Sequence, residues 1–362
     1  GVPAMAEPSA DQQQKIDSFR AFLEEFRLQH HIPALSVALV HDGEIIMAEG
    51  FGWQDFDGEE PASAANAFPI ASVTKAYTAV TVLGMADDGI VSLEDRFSDW
   101  QGTGSSWESW TELCEAMVEA PMIFGGGTLD DGTVIEALQC DADITLGNVL
   151  SMRINGTPGT TAIYNPVIYN YIGNFIEEET GTPLRDWMHR YVTEPAGLDD
   201  TAIGWRDPGK GHVLTSFVAP FNYVEGEGYE AQPLPEFQDG VSAAAGIIAP
   251  VTDLAKFAAA LDGDSLMPPA RKELMWHGPA GAPEPYAFGW FRQDWQGERL
   301  VWHSGWYPQQ YSAMLLKAPD AGWSLVALGN SDGIWWDNPL YDARIETSPL
   351  ALEFLERFVG GE

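Results

Sequence analysis

Strand-forming segments cluster at the two ends of this chain, and that split constrains its fold more than any other feature. Near the start, Ser36–Val40 and Ile45–Ala48 flank the turn His41-Asp42-Gly43-Glu44 and read as a hairpin. Far downstream come Tyr286–Phe291, Leu300–His303, Tyr311–Leu316 and Trp323–Leu328. An isolated hairpin is marginal in water, so the two groups are expected to share one antiparallel sheet. Asp11–His31 reads as an amphipathic helix, with Ile16, Phe19, Leu23 and Phe26 at helical spacing and Pro33 behind it. Ser348-Pro349 opens a terminal helix whose apolar face is Leu352, Leu355, Phe358 and Val359. These two helices are expected to cover the sheet. The expectation is an α+β fold: residues 1–98 and 241–362 form a discontinuous sheet domain. Residues 99–240 form a mainly helical lobe, with an insertion around 100–143. Within the lobe, Ile144–Leu150, Val167–Glu179 and Pro183–Val192 read as helices, and Thr252 or Asp253 starts another beyond it.

A chain of 362 residues with 45% hydrophobic content and 14 tryptophans builds a large core and one or two domains. No run reaches the ~18 apolar residues of a membrane helix. Against 18 basic residues stand 54 acidic ones, a net charge of −36 that repels nucleic acid and anionic membranes. Such a surface fits either salt adaptation or a generally acidic exported protein. Ala4-Met5-Ala6 has the small-x-small form of a signal-peptidase site, which points to a periplasmic or secreted location. Cys114 and Cys140 either close one disulfide or remain two buried thiols. Both lie in the Trp100–Asp143 stretch, which either overhangs a cleft as a lid or pads the helical lobe.

Ser72-Val73-Thr74-Lys75 is the segment with reactive chemistry. Pro69 ends an extended approach, and the apolar, Ala-rich run behind it reads as a buried helix closing near Gly89. Ser72 falls in its first turn, where free N–H groups favour negative charge. Lys75 lies one turn on, on the same face. A desolvated lysine loses pKa and can serve as the base that activates a serine. Serine and lysine at this spacing also occur by accident, so context decides.

Other chemistries fail on pattern. Gly329-Asn330-Ser331-Asp332-Gly333 matches a nucleophile elbow, but Ile334–Pro339 is a poor helix and no histidine follows His303. A tight turn accounts for it. The seven histidines show no H-E-x-x-H, and no phosphate loop follows a strand, so neither metal nor cofactor is expected.

Five segments in order resemble the serine β-lactamase and penicillin-recognising family, in its class C-like branch of β-lactamase-fold esterases, D-aminopeptidases and D-Ala-D-Ala carboxypeptidases. They are Phe68–Gly89, Asp143–Gly156, Tyr164–Gly181, Gly246–Phe257 and Val301–Gly333. The resemblance implies that Ser72 forms a covalent acyl-enzyme, that Lys75 helps take its proton, and that Tyr164 shuttles a proton to the leaving group. It places His303-Ser304-Gly305 on the strand lining the cleft as substrate contacts. The backbone N–H groups of Ser72 and Trp306 become the oxyanion hole. Two positions depart from the pattern. The usual Tyr-x-Asn is here Tyr164-Asn165-Pro166, so Asn165 is the residue left to contact substrate. Histidine at His303, in place of lysine, removes a permanent cation. Both departures favour an esterase or peptidase over an efficient β-lactamase. Trp290, Trp302, Trp306 and Tyr307 line an acyl pocket or pack within the sheet. The implied partner is a small-molecule or peptide substrate, and oligomeric state is left open. A catalytically silent relative that binds a peptidoglycan fragment or small ligand is the alternative.

Overall fold

The computed structural model describes residues 5–55, 58–102, 105–234, 242–279, 281, 285–338 and 342–360. Ala4 of the export triplet and the lobe boundary at 240–241 lie outside the described residues.

Helix α1 (Ala10–Gln29) starts from Ser9, whose hydroxyl accepts the Gln12 N–H while the Gln12 side chain returns to the Ser9 backbone. Strands β1 (Ala34–His41) and β2 (Glu44–Gly52) form the expected hairpin. They complete a six-stranded antiparallel sheet in the order Phe291–Trp295, Glu298–Tyr307, Tyr311–Ala318, Trp323–Gly329, β1, β2. The seam between the two ends of the chain is β1 against Trp323–Gly329, with Val37 opposite Ala327. Both strands are buried almost throughout, which explains their continuous apolar sequence. The Pro349–Phe354 helix and the turn after it close over the same face as α1, where Phe19 meets Phe358 edge-on at 5.4 Å.

One expected strand is displaced. Tyr286–Phe291 was expected as a strand, yet residues 285–290 form a bend, and the strand runs Phe291–Trp295. Gly289 sits at φ +75°, and a Cβ there would lie 2.6 Å from the Lys75 carbonyl oxygen and 2.5 Å from the Ala79 side chain. The bend therefore presses against the next helix, and only glycine permits that approach.

A second, three-stranded sheet leads into that helix. Strand β3 (Ala67–Pro69) pairs with Ile247–Pro250, which pairs with Ala202–Ile203. Past β3 a 3-10 turn over Ala71–Val73 opens α2 (Thr74–Asp87), which is buried on nearly every face, as its sequence predicts. Short helices follow between α2 and the later strands, Leu146–Leu150, Pro166–Asn170 and Ile172–Thr180 among them. Cys114 and Cys140 are bonded to each other.

Candidate active site

Ser72 is set by the junction between β3 and α2. The Ile70 N–H is held by the Ile247 carbonyl at 3.0 Å. Ala71 then takes φ +47°, a conformation that costs a non-glycine residue of order 1 kcal/mol or more. Such strain concentrates at sites where a side chain must be aimed. The chain then enters α2, with Lys75 one turn beyond Ser72.

The Glu298–Tyr307 strand, called the cleft strand below, passes directly over this junction. A Cβ on Gly305 would collide with the Ile70 carbonyl oxygen. Glycine at this position is what lets the strand lie against the serine turn. The Phe291–Trp295 strand pairs with the cleft strand only as far as Trp302. From His303 onward the outer edge of the cleft strand has no strand partner among the described residues.

Lys75 is fully buried, and its Nζ donates to the Ala244 carbonyl at 2.8 Å and lies 2.9 Å from Ser72 Oγ. Its nitrogen stands over the rings of Tyr164 at 5.0 Å and Tyr169 at 5.6 Å. Among the described residues no carboxylate compensates it, and burial holds its pKa well below the usual 10.5. Burial thus favours the neutral amine, whose lone pair can accept the serine proton. Ser242 shapes the opposite wall by accepting the N–H groups of Ala244 and Ala245, which turns two carbonyls inward. Thr78 takes the one from Ala243, and Lys75 takes the one from Ala244.

Tyr164 is 8% exposed, and its hydroxyl is hydrogen-bonded to Ser72. Burial raises its pKa, opposed by the Ser72 bond, so it stays a phenol and a proton donor. Asn165 is committed differently from what its position beside Tyr164 suggests. Its Oδ1 accepts the Ile168 N–H at 3.0 Å and caps the Pro166–Asn170 helix, while Nδ2 points to the Ile123 carbonyl at 3.5 Å. Pro166 suits the first helical position, where its missing N–H is no loss. Asn165→Ala is therefore expected to cost about 1 kcal/mol of stability, as cap removals do. It should leave kcat/KM on a reactive ester within a few-fold. Thermal unfolding beside an ester assay checks this, and a loss of kcat/KM far larger than the stability loss would return Asn165 to the substrate.

His303 is 1% exposed and enclosed: Nδ1 meets the Ser304 carbonyl at 2.7 Å and Nε2 meets the Tyr286 hydroxyl at 3.1 Å. Burial first, and the Lys75 nitrogen second, push its pKa down to about 3. Ser304 is buried beside it. Trp306 is 39% exposed, stacks on Trp335 at 4.6 Å and donates its indole N–H to Asp332. Trp290 and Trp302 are fully buried and pack in the interior. Ser331 donates to the His31 carbonyl and accepts the Gly333 N–H, the behaviour of a turn residue.

Sequence reasoning missed Tyr169, Ala244 and Tyr286. Tyr169 and Ala244 act through a ring face and a carbonyl, for which no motif exists. Tyr286 was hidden inside an expected strand. The disulfide-bearing stretch reaches the site: the Ile123 carbonyl faces both Asn165 and Asn155. No cluster of three or more metal-ligating side chains occurs among the described residues.

Comparison with known proteins places the chain in a family. A family model described as Beta-lactamase matches residues 15–345. Protein flp of Staphylococcus aureus (strain MW2) is 25% identical over 337 residues, covering 88% of this chain and 63% of that protein. Unguisins hydrolase ungD' of Aspergillus campestris (strain IBT 28561) is 26% identical over 333 residues, covering 83% of this chain and 59% of that protein. The chain thus spans less than two thirds of the length of these curated relatives. The crystal structure of D-amino acid amidase from Ochrobactrum anthropi SV3 superposes with a TM-score of 0.65 at 17% identity, over 96% of this chain and 97% of that one. This last likeness concerns the fold.

Proposed function

The chain belongs to the beta-lactamase family, and we propose that it is a serine hydrolase that forms an acyl-enzyme on Ser72 from an ester, amide or lactam. The observation that carries the reading is a serine hydroxyl 2.9 Å from the nitrogen of a fully buried lysine, whose pKa burial lowers. The hydrolase and amidase named among the relatives support the reaction class.

In this reading the Ser72 proton passes to Lys75 as Oγ attacks the substrate carbonyl. The new ammonium forms between the faces of Tyr164 and Tyr169 and against the Ala244 carbonyl. Ring faces attract a cation most strongly where water is excluded. The tetrahedral oxyanion is assigned to the backbone N–H groups of Ser72 and Trp306, each such donor being worth roughly 3 kcal/mol in other enzymes. Tyr164 protonates the leaving group and is reprotonated from Lys75, which restores the amine. Water then enters by the reverse sequence and releases the acid. Export to the periplasm or medium is part of the proposal, and the Cys114–Cys140 bond supports an oxidising compartment.

The test is intact-protein mass spectrometry after treatment with a fluorophosphonate, followed by peptide mapping. A single adduct on Ser72, with turnover of p-nitrophenyl esters, is the expected result. An unmodified protein that turns over no ester would leave only a binding role.

A further inference from the structure

His303 and Tyr286 take no part in these proton transfers, yet they form a closed pair directly behind them. The Ser304 carbonyl can only accept, so Nδ1 of His303 carries a proton. Nε2 lies 3.1 Å from the Tyr286 hydroxyl. The titratable groups around the ring are Lys75 from α2, Tyr164 from the segment before the Pro166–Asn170 helix, and Tyr286 from the bend before the Phe291–Trp295 strand. None is an anion at neutral pH, since burial raises both tyrosines and lowers the lysine. A second proton on His303 would be a buried charge with nothing to pair it. Nε2 is therefore a bare acceptor, and Tyr286 donates to it.

The pair is fixed from several sides. The bend that carries Tyr286 is packed on α2 at Gly289, and Arg153 Nη1 holds the Tyr286 carbonyl at 2.7 Å. The Tyr286 ring meets Phe291 edge-on at 4.9 Å and Tyr164 at 5.9 Å. The fixed cation at this wall, the Arg153 guanidinium, is 1% exposed and donates from Nη1 to the Ser151 and Tyr286 carbonyls, so it is turned onto the backbone and not into the cleft. Lys75 is committed to Ser72 and the Ala244 carbonyl and burial disfavours its charge, His303 is neutral, and the five other lysines are engaged by carboxylates or carbonyls elsewhere.

We propose that Tyr286 is a positioning residue that holds His303 as a neutral, Nδ1-protonated ring, and that the cleft consequently selects esters or amides with no carboxylate beside the reacting bond. The proposal rests on the acyl-transfer reading and adds its substrate class. A carboxylate brought against this wall would lose water and gain no cation.

The experiment compares methyl 4-acetoxybenzoate with 4-acetoxybenzoate, which differ in one charge, at low salt and in 1 M KCl. The expected kcat/KM for the neutral ester exceeds that of the anion by about a hundredfold or more, as unpaired buried groups discriminate. The gap should persist in 1 M KCl, because repulsion by the acidic surface is screened there and a missing local partner is not. Equal rates, or a gap that closes in salt, overturn the proposal while leaving the acyl-enzyme intact. Failure of both esters, with no adduct on Ser72, overturns the acyl-transfer reading and this inference with it. The pair itself is read by 15N NMR of histidine-labelled protein, with the His303 signal assigned by its loss in His303→Gln. One protonated and one bare ring nitrogen between pH 5 and 8 is expected. Tyr286→Phe should narrow the neutral-to-anion ratio about tenfold at pH 5 and bring a His303 titration into range. An unchanged ratio and unchanged ring signals would deny Tyr286 its role.

Discussion

Ser72→Ala is expected to lower kcat/KM on p-nitrophenyl esters by at least about 10⁴-fold, the scale on which nucleophile removal acts in serine hydrolases. Covalent labelling by a fluorophosphonate should disappear with it. The fold should survive: Ser72 is partly exposed, and Lys75 keeps the Ala244 carbonyl when Oγ is gone. The thermal midpoint is therefore expected to move by only a few degrees, as a change below about 1 kcal/mol does. Activity within tenfold of the parent, in a protein of unchanged stability, would place the nucleophile elsewhere. Ser331, the other serine at a motif-like position, is bonded into its turn and 3% exposed.

How far the sequence reached is explained by the kind of interaction each feature depends on. The sheet was legible because strand-forming runs at the two ends had no other way to bury their faces, and β1 pairs with Trp323–Gly329 accordingly. Ser72 and Lys75 were legible because helical spacing fixes their proximity. Tyr286 was not. Its run of Tyr, Ala and Phe has strand composition, and what overrides it is the approach of Gly289 to α2, a tertiary contact with no local signature. Asn165 was ambiguous for a related reason. An asparagine ahead of a proline is equally well placed to cap a helix or to face a cleft, and only the Ile168 N–H shows which. His303 shows the same limit: its type suggests a titrating group, while its burial and the Tyr286 hydroxyl make it a neutral one.

Lys75 makes the second large effect, and its sign can be worked out in both activity and stability. The amine must be unprotonated to accept the Ser72 proton. Its folded pKa lies well below 10.5, so kcat/KM is expected to rise as pH increases through that depressed value and then level off. Lys75→Arg keeps a charge but supplies no base near neutrality, and a loss of about 10³-fold in kcat is expected, with KM changing much less. Stability follows the same proton. Between the folded pKa and 10.5 the unfolded chain holds a proton on Lys75 that the folded protein does not. Stability from this group is thus complete above 10.5 and is lost as pH falls toward the folded value. Lys75→Met has a similar shape and no proton, so it removes this dependence, although it strands the Ala244 carbonyl at a fixed cost. Thermal midpoints of Lys75→Met minus wild type, measured from pH 10 down to pH 5, are therefore expected to become more positive until pH reaches the folded pKa of Lys75. A difference that stays flat across that range would mean that Lys75 is charged in the folded protein, and a charged Lys75 could not be the base.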